Sequence, residues 1–159
     1  MAEACFGNNE ANSYIYVSAD NRVHLWDTNT TKELRTFVEK QHLSHSYTCT
    51  TWKEGKKNNL GIFAAGCSDG TIVVWDLTRG IVVKTLGKIN ESSIPTSLCF
   101  SNDSKSIIVG SNQAEICQYE ILTGEKIHSF KAGKKGVLKI CLNPRVDVVA
   151  AGGYAMLQC

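Results

Sequence analysis

The feature of this sequence that most constrains its fold is an aromatic residue followed by an acidic one, which recurs at intervals of 49 and 44 residues. The three copies of this pair are Trp26-Asp27, Trp75-Asp76 and Tyr119-Glu120. Recurrence with a period between about 20 and 50 residues is the sequence signature of repeat architectures. The chain is therefore predicted to use one supersecondary unit several times.

The segments around each copy of the pair are also repeated. A β-rich run and a polar turn precede it, as in YIYVSADN, and a short turn and an alternating run follow it, as in TNTT and KELRTF. A looser loop then leads to a further run such as YTCTTW or IPTSLCF. Such short alternating runs indicate β-strands, since helices place apolar residues three or four positions apart. Each period therefore predicts one antiparallel four-stranded sheet, and neighbouring sheets must stack around an axis to bury their faces.

Seven cysteines raise the question of disulfides or zinc. The number is odd, and no two cysteines have the C-x-x-C spacing of a zinc or redox site. When the fourth run of each period is aligned on its last apolar residue, Cys5, Cys99 and Cys141 fall at the same position. Because equivalent positions are held a whole sheet apart, we expect buried free thiols.

The repeated pair and its flanks resemble the WD-repeat β-propellers, whose blades of about 40 to 45 residues end their third strand in Trp-Asp. The resemblance implies an all-β fold with blades at approximately 2–42, 46–89 and 93–132, and half a blade at 136–159. Closed propellers have about four to eight blades. We therefore expect residues 1–159 to be the N-terminal part of an incomplete WD-repeat β-propeller, with about three and a half four-stranded blades of a larger ring.

The resemblance also gives structural roles to the repeated residues. In many members of the family a His, a Ser or Thr, the turn Asp and the Trp form a buried hydrogen-bonded network. Here only the second blade has all the parts, with His42 or His45 as the histidine. The positions expected to carry the repeat are Asp20, Trp26, Asp27, Ser68, Asp69, Trp75, Asp76, Tyr119 and Glu120.

No catalytic, cofactor or metal site is predicted. The carboxylates of Asp69 and Asp76 have counterparts in the first period, so a role in turns explains them better than acid-base catalysis. His42 and His45 lie three apart in a Ser-rich loop, where that spacing creates no shared face for a metal. The segment AGKKG at 132–136 lacks the full phosphate-loop pattern, and no Ser-His-Asp or Cys-His arrangement is left outside the repeat positions.

The net charge of the chain does not indicate a particular class of partner. The net charge is only +2, whereas proteins that bind by neutralising phosphates usually have a strong basic excess. The insertion KEGKKNN at 53–59 differs, because it brings Lys53, Lys56 and Lys57 into one turn. Two interpretations stay open for it: a solvated loop, or a contact with RNA phosphates or an acidic partner.

The N-terminus lacks the basic and apolar regions of a secretory signal, and no run of 18 apolar residues occurs. We therefore expect an intracellular protein that uses neither a membrane nor a small-molecule substrate.

Within the family, the order HLSHSYTCTTW, insertion, IFAAGCSDGTIVVWD is similar to a nucleolar member of the machinery that processes pre-ribosomal RNA. This resemblance implies a non-enzymatic scaffold of the nucleus and nucleolus in small ribosomal subunit biogenesis. Its partners would be other proteins of a multi-subunit complex, with pre-ribosomal RNA as a further candidate. The alternative is an adaptor of the same fold elsewhere, such as a ubiquitin-ligase substrate receptor or a signalling scaffold. A hydrolase or transferase is disfavoured because the repeat accounts for every candidate catalytic residue.

Overall fold

The chain forms four antiparallel β-sheets that follow one another along the sequence. The computed structural model describes residues 3–6, 13–40, 43–55, 59–143, 145 and 149–153. These ranges contain strands and turns but no helix, and hence no helix able to cross a membrane. Three sheets have four strands and the last has two. The expected all-β architecture, an incomplete propeller of about three and a half blades, is confirmed.

The sheets are numbered as blades 1 to 4 in chain order. Blade 1 holds β1 (Glu3–Phe6), β2 (Ser13–Val17), β3 (Val23–Asp27) and β4 (Lys32–Phe37). Blade 2 holds β5 (Tyr47–Lys53), β6 (Ile62–Cys67), β7 (Ile72–Asp76) and β8 (Ile81–Leu86). Blade 3 holds β9 (Pro95–Phe100), β10 (Ser106–Ser111), β11 (Glu115–Glu120) and β12 (Lys126–Lys131). The two strands of blade 4 are β13 (Val137–Leu142) and β14 (Val149–Gly153).

The apolar core lies between the blades. One cluster of buried side chains joins blade 1 to blade 2, and another joins blade 2 to blade 3. The cluster between blades 3 and 4 is smaller, with four buried members, Ile108, Ile116, Val137 and Ile140. A large aliphatic or aromatic side chain contributes about 1.5–3 kcal/mol when it is fully buried. Burial of side chains between the blades is therefore a main source of stability for the fold.

Glycine at one position of the second strand lets the next blade approach closely. A Cβ on Gly66 would lie 2.6 Å from the Cβ of Pro95, and one on Gly110 would lie 2.7 Å from Cγ1 of Val137. The same register position in blade 4 is Gly152, where a Cβ would meet nothing within 4 Å. Within the described residues, nothing therefore covers Gly152 on the face of blade 4 that points away from blade 3.

Each four-stranded blade contains a register shift in the pairing of its third and fourth strands. The shift comes directly before the repeated aromatic residue, at Trp26, Trp75 and Tyr119. At each shift the fourth strand has one residue more than its partner. Such an extra residue is a β-bulge, which bends the strand and increases its twist. The extra residues on the fourth strands are Leu34, Val83 and Ile127.

Hydrogen bonds between blades fix their inner strands. The hydroxyl of Thr48 donates to the carbonyl of Pro95 at 2.6 Å, and that of Thr96 donates to Val137 at 2.5 Å. The ammonium of Lys53 donates to the carbonyls of Ser101 and Asn102 at 2.6 and 2.5 Å. Because these bonds cross from one blade to the next, they hold the blades in a defined relative position.

Candidate interaction site

The acidic member of each repeated pair is used by the turn that follows it. The Asp27 carboxylate accepts hydrogen bonds from the backbone N–H of Asn29 at 2.8 Å and of Thr30 at 3.0 Å. Asp76 accepts one from the backbone N–H of Arg79 at 3.0 Å. Glu120 has a longer side chain than aspartate, and its carboxylate accepts a hydrogen bond from the Thr123 hydroxyl at 2.8 Å. These contacts cap the turns that follow the third strands.

The aromatic members differ in how deeply they are buried. Trp75 is buried and meets Phe37 of blade 1 edge-on. Tyr119 is also buried, and the ammonium of Lys126 lies 5.9 Å from its ring centroid. Trp26 is half-buried and stacks on Tyr14 with ring centroids 6.3 Å apart. The first blade thus covers its Trp with a side chain of its own sheet.

The polar turns before the third strands are locally hydrogen-bonded. Asp20 accepts from the Ser18 hydroxyl and forms an ion pair with Arg22 at 2.9 Å. Asp69 accepts from both the backbone N–H and the hydroxyl of Thr71, at 3.0 and 2.7 Å. The Ser68 hydroxyl accepts from the backbone N–H of residue 46 at 3.0 Å.

A group of polar side chains lies between blades 1 and 2, where the second-blade network was expected. Nε2 of His45 is 3.6 Å from the Glu39 carboxylate, and the His45 and Tyr47 rings are 5.8 Å apart. Among the described residues Trp75 Nε1 meets no acceptor at hydrogen-bonding distance and angle. The structure therefore brings His45 to Glu39 and does not link it to Trp75. His42, the other candidate histidine, lies outside the described residues.

Burial dominates the electrostatics of this group. It raises the pKa of the Tyr47 hydroxyl, and the nearby Cys67 and Glu39 add to the shift. Burial also raises the pKa of the Cys67 thiol to about 12. Groups held neutral in this way supply neither a nucleophile nor a general base near pH 7.

The lysines of the insertion divide into two sets. The Lys53 ammonium is engaged by the carbonyls of blade 3, and burial lowers its pKa. Lys56 and Lys57 lie outside the described residues. The Thr78 hydroxyl accepts a hydrogen bond from the backbone N–H of Leu60 and donates one to Oδ1 of Asn59. These bonds tie the end of the insertion to blade 2.

The cysteines depart in part from the expectation of uniform burial. Cys49, Cys67 and Cys117 are buried free thiols, and Cys99 is half-buried. The prediction of burial is wrong for Cys141, because its thiol is exposed. It points away from Ile140, on the face of β13 that no further sheet covers in the described chain. The same position is shielded in blade 3, where Cys99 packs against the cluster shared with blade 4.

No group of three or more His, Cys, Asp or Glu side chains within the described ranges is arranged to hold a metal ion. Sequence reasoning did not single out Thr48, Thr96 and Arg35, which are three of the residues that join the blades. A signal was present for the two threonines, since both come second in the first strand of their blade. The Arg35 contact depends on a turn more than 40 residues away, at Leu77 and Thr78, and leaves no local signal.

Comparison with known proteins supports a WD-repeat relationship. Residues 33–76 match the WD40 family, described as WD domain, G-beta repeat. The chain is 32% identical over 106 residues to the retinoblastoma-binding protein 5 homolog of Drosophila melanogaster, covering 66% of this chain and 20% of the relative. It is 21% identical over 141 residues to WD repeat-containing protein 70 of Xenopus laevis, covering 84% of this chain and 22% of the relative. The chain thus spans about a fifth of the length of these curated relatives.

The fold is also similar to that of a solved structure. The crystal structure of the computationally designed Ika4 protein superposes with a TM-score of 0.68 at 24% sequence identity, over 91% of this chain and 81% of that one. The sequence match and the fold agree on one architecture. The chain contains a WD40 repeat, and its sheets form an incomplete WD-repeat β-propeller.

Proposed function

We propose that this chain is a non-enzymatic scaffold that holds proteins together in a multi-subunit complex of the nucleus. The main support is a row of apolar side chains on the outer edges of the blades. Leu34, Val83 and Ile127 are the extra residues at the three register shifts, and all three are exposed. We infer that exposed apolar side chains repeated at matched positions on successive blades are available for contact with partner proteins.

The repeat carboxylates support a scaffold over an enzyme. Asp27, Asp76 and Glu120 each cap the turn that follows them. General acid-base chemistry needs a titratable group within reach of a bound substrate. Carboxylates committed to successive turns do not converge on such a point.

For the complex itself, we propose the assembly that processes pre-ribosomal RNA in the nucleolus. The supporting observation is the resemblance of HLSHSYTCTTW and the following insertion to WD repeat-containing protein 43, a nucleolar protein. In this proposal the outer-edge row contacts neighbouring proteins, while Lys56 and Lys57 of the insertion contact RNA phosphates. Phosphate contacts by lysines position a protein on RNA without reading its sequence.

A second candidate follows from the identity of 32% over 106 residues to a retinoblastoma-binding protein 5 homolog. In that case the same outer-edge surface would bind a protein of the retinoblastoma type, and RNA would play no part.

One purification tests both candidates. The tagged protein would be isolated from cells, and the bound proteins and RNA would be identified together. We expect pre-ribosomal RNA and nucleolar proteins to be enriched. Recovery of retinoblastoma-type proteins without ribosomal precursors would reject the nucleolar assignment in favour of the second candidate.

Two variants separate the protein and RNA surfaces in this experiment. Changing Leu34, Val83 and Ile127 to Ser should remove the bound proteins, because it deletes the apolar row without touching a buried residue. Lys56→Glu with Lys57→Glu should reduce RNA recovery and leave the proteins bound. If the serine variant keeps every partner, the outer-edge surface is not the site of assembly.

A further inference from the structure

The outer strand of blade 2 exposes apolar side chains although the blade is packed on both of its faces. Blade 2 shares one apolar cluster with blade 1 and another with blade 3. In its outer strand β8, Ile81 is nevertheless 47% exposed and Val83 is 44% exposed. Because blade 2 lies between two other blades, this exposure belongs to its outer edge and not to either end of the described chain.

The outer strands of the blades are also basic. The strands β4, β8 and β12 contain five Lys or Arg residues and one acidic residue, whereas the whole chain has 17 and 15. The five cations are Lys32, Arg35, Lys84, Lys126 and Lys131. Among the described residues none of these five forms an ion pair, while the acidic residue, Glu33, is paired with His24. The outer edges therefore carry positive charge that no described side chain neutralises.

Lys84 extends the exposed surface of blade 2 toward blade 3. By register it corresponds to Arg35 of blade 1. A Cβ on Gly80 would lie 2.9 Å from Nη2 of Arg35, and one on Gly124 would lie 2.7 Å from Cε of Lys84. Each basic side chain thus lies against the turn that follows the third strand of the next blade. Arg35 donates to the carbonyl of Thr78 in that turn, whereas Lys84 makes no hydrogen bond within the described residues.

The turn of blade 3 that Lys84 reaches has an exposed apolar residue of its own. Leu122 is 82% exposed and lies two residues before Gly124. Apolar side chains therefore stand on both sides of an ammonium group that has no described partner. We call this group of residues the blade 2 patch, which consists of Ile81, Val83, Lys84 and Leu122.

The apolar members of the patch favour a protein partner over RNA. Aliphatic side chains neither donate hydrogen bonds to phosphates nor offer an aromatic face on which bases stack. Exposed aliphatic groups next to a cation are complementary to a protein surface that combines apolar side chains with carboxylates. The patch therefore fits an acidic, partly apolar segment.

The register shift in β8 indicates how such a segment binds. The shift leaves Val83 as the extra residue of β8, and Lys84 follows it. A β-bulge and a lysine are two means by which proteins prevent further strands from adding to the edge of a sheet. A partner of this edge therefore contacts the side chains and not the backbone. An amphipathic helix binds in this way, through apolar residues three or four positions apart.

We propose that the blade 2 patch binds an amphipathic helical segment of a partner protein in which acidic residues outnumber basic ones. The apolar face of this helix covers Ile81, Val83 and Leu122, and one of its carboxylates pairs with Lys84. The proposal rests on the scaffold function and deepens it by naming the chemistry of one partner.

Photo-crosslinking in cells tests this proposal. A photoreactive benzophenone amino acid replaces Val83 in the full protein, and mass spectrometry identifies the crosslinked segments. We expect segments with more Asp and Glu than Lys and Arg, and with apolar residues three or four positions apart. The same amino acid at Ser92, which is exposed in the loop after β8, is the control and should not crosslink these segments.

Variants at Lys84 test the role of charge. Lys84→Glu should lower the crosslink yield at least about fivefold, because like charges then face each other. Lys84→Met keeps an apolar stem over the turn of blade 3 and should lower the yield at least about twofold, since only the charge is lost. Lys88→Glu makes the same change of charge outside the patch, where Lys88 pairs with Glu91, and should leave the yield unchanged.

Three results would overturn the proposal: no crosslink at residue 83, crosslinked segments that are neutral or basic, or an equal effect of Lys88→Glu and Lys84→Glu. RNA or a second copy of this chain as the main crosslinked molecule would overturn it too. Failure of the proposed function has a different outcome. Acidic helical segments from proteins outside the nucleus would reject the nuclear scaffold and leave the chemistry of the patch intact.

Discussion

The ring of Phe37 meets the indole of Trp75 edge-on, with centroids 6.2 Å apart and an interplanar angle of 61°. Phe37 ends the outer strand of blade 1, and Trp75 lies in the third strand of blade 2. The guanidinium of Arg35 lies 5.2 Å from the Phe37 ring centroid and also donates to the carbonyl of Thr78 at 3.0 Å. Trp75 therefore belongs to a joint between blades 1 and 2.

Truncation of this joint should destabilise the fold. Phe37→Ala removes a buried ring and leaves a cavity, which typically costs about 3–5 kcal/mol in the free energy of unfolding. Phe130→Ala deletes the same side chain at the equivalent exposed position and should change that energy by less than about 0.5 kcal/mol. Urea unfolding followed by tryptophan fluorescence measures both. Equal effects from the two variants would show that the joint does not contribute as its burial indicates.

The turn after the repeated pair needs a left-handed residue in each blade. Gly80 and Gly124 have φ of 71° and 80°, but the same position in blade 1 is Thr31, with φ of 54°. A β-branched residue is strained there. Thr31→Gly should therefore raise the free energy of unfolding by about 1 kcal/mol, and Gly124→Thr should lower it by at least as much.

Gly87→Ala is the control for these turn variants, because a Cβ at Gly87 meets nothing within 4 Å and its φ is not positive. We expect a change within about 0.5 kcal/mol for it. Thermal unfolding of the variants side by side gives the comparison. A loss of stability in Thr31→Gly would indicate that the threonine side chain outweighs the backbone strain.

Stability should fall in acid because of the turn carboxylates. Backbone N–H groups of Thr30 and Asn29 lower the pKa of Asp27 from its usual 3.8. A lowered folded-state pKa means that ionised Asp27 stabilises the fold above pH 3.8, and this contribution disappears as the pH falls through the folded-state value. Asp27→Asn keeps an acceptor oxygen but removes the group that titrates. The free energy of unfolding of this variant should therefore fall less in acid than that of the natural protein.

Urea unfolding from pH 7 down through the acid range measures this effect. Asp27→Ala is the companion variant, because it removes the acceptor as well as the charge and should lower stability at neutral pH too. If Asp27→Asn reproduces the natural pH profile, the hydrogen bonds of this turn do not favour the ionised carboxylate.

The sequence was sufficient to predict the repeat and its phase. Trp26, Trp75 and Tyr119 fall at one position of the third strand and face equivalent residues of the second strand, Tyr14, Phe63 and Ile107. This success has a physical reason, since alternation of side chains along a strand fixes which residues share a face. Turn residues then fix where each strand ends.

Contacts between blades were not predictable in the same way. Lys53 was predicted to lie in a loop that is either solvated or in contact with a partner, but its ammonium reaches the carbonyls of residues 101 and 102 in the next blade. The alternation of residues along a strand predicts on which face of the sheet a side chain lies, but it does not predict which residues of a neighbouring blade cover that face. For the same reason Cys99 and Cys141 share a position, yet one is half-buried and the other exposed.

This difference between equivalent thiols predicts an order of chemical reactivity. Burial raises the pKa of Cys67 to about 12 and that of Cys99 to about 11, and the thiolate is the reactive form. Cys141 is exposed and should react first with iodoacetamide at pH 8. Mass spectrometry of peptides from briefly treated protein would give the order. To remove two thiols whose side chains lie outside the described residues, the experiment would use Cys5→Ser with Cys159→Ser. All remaining cysteines should react at similar rates in denaturant, and equal rates in the folded protein would contradict the burial that separates Cys99 from Cys141.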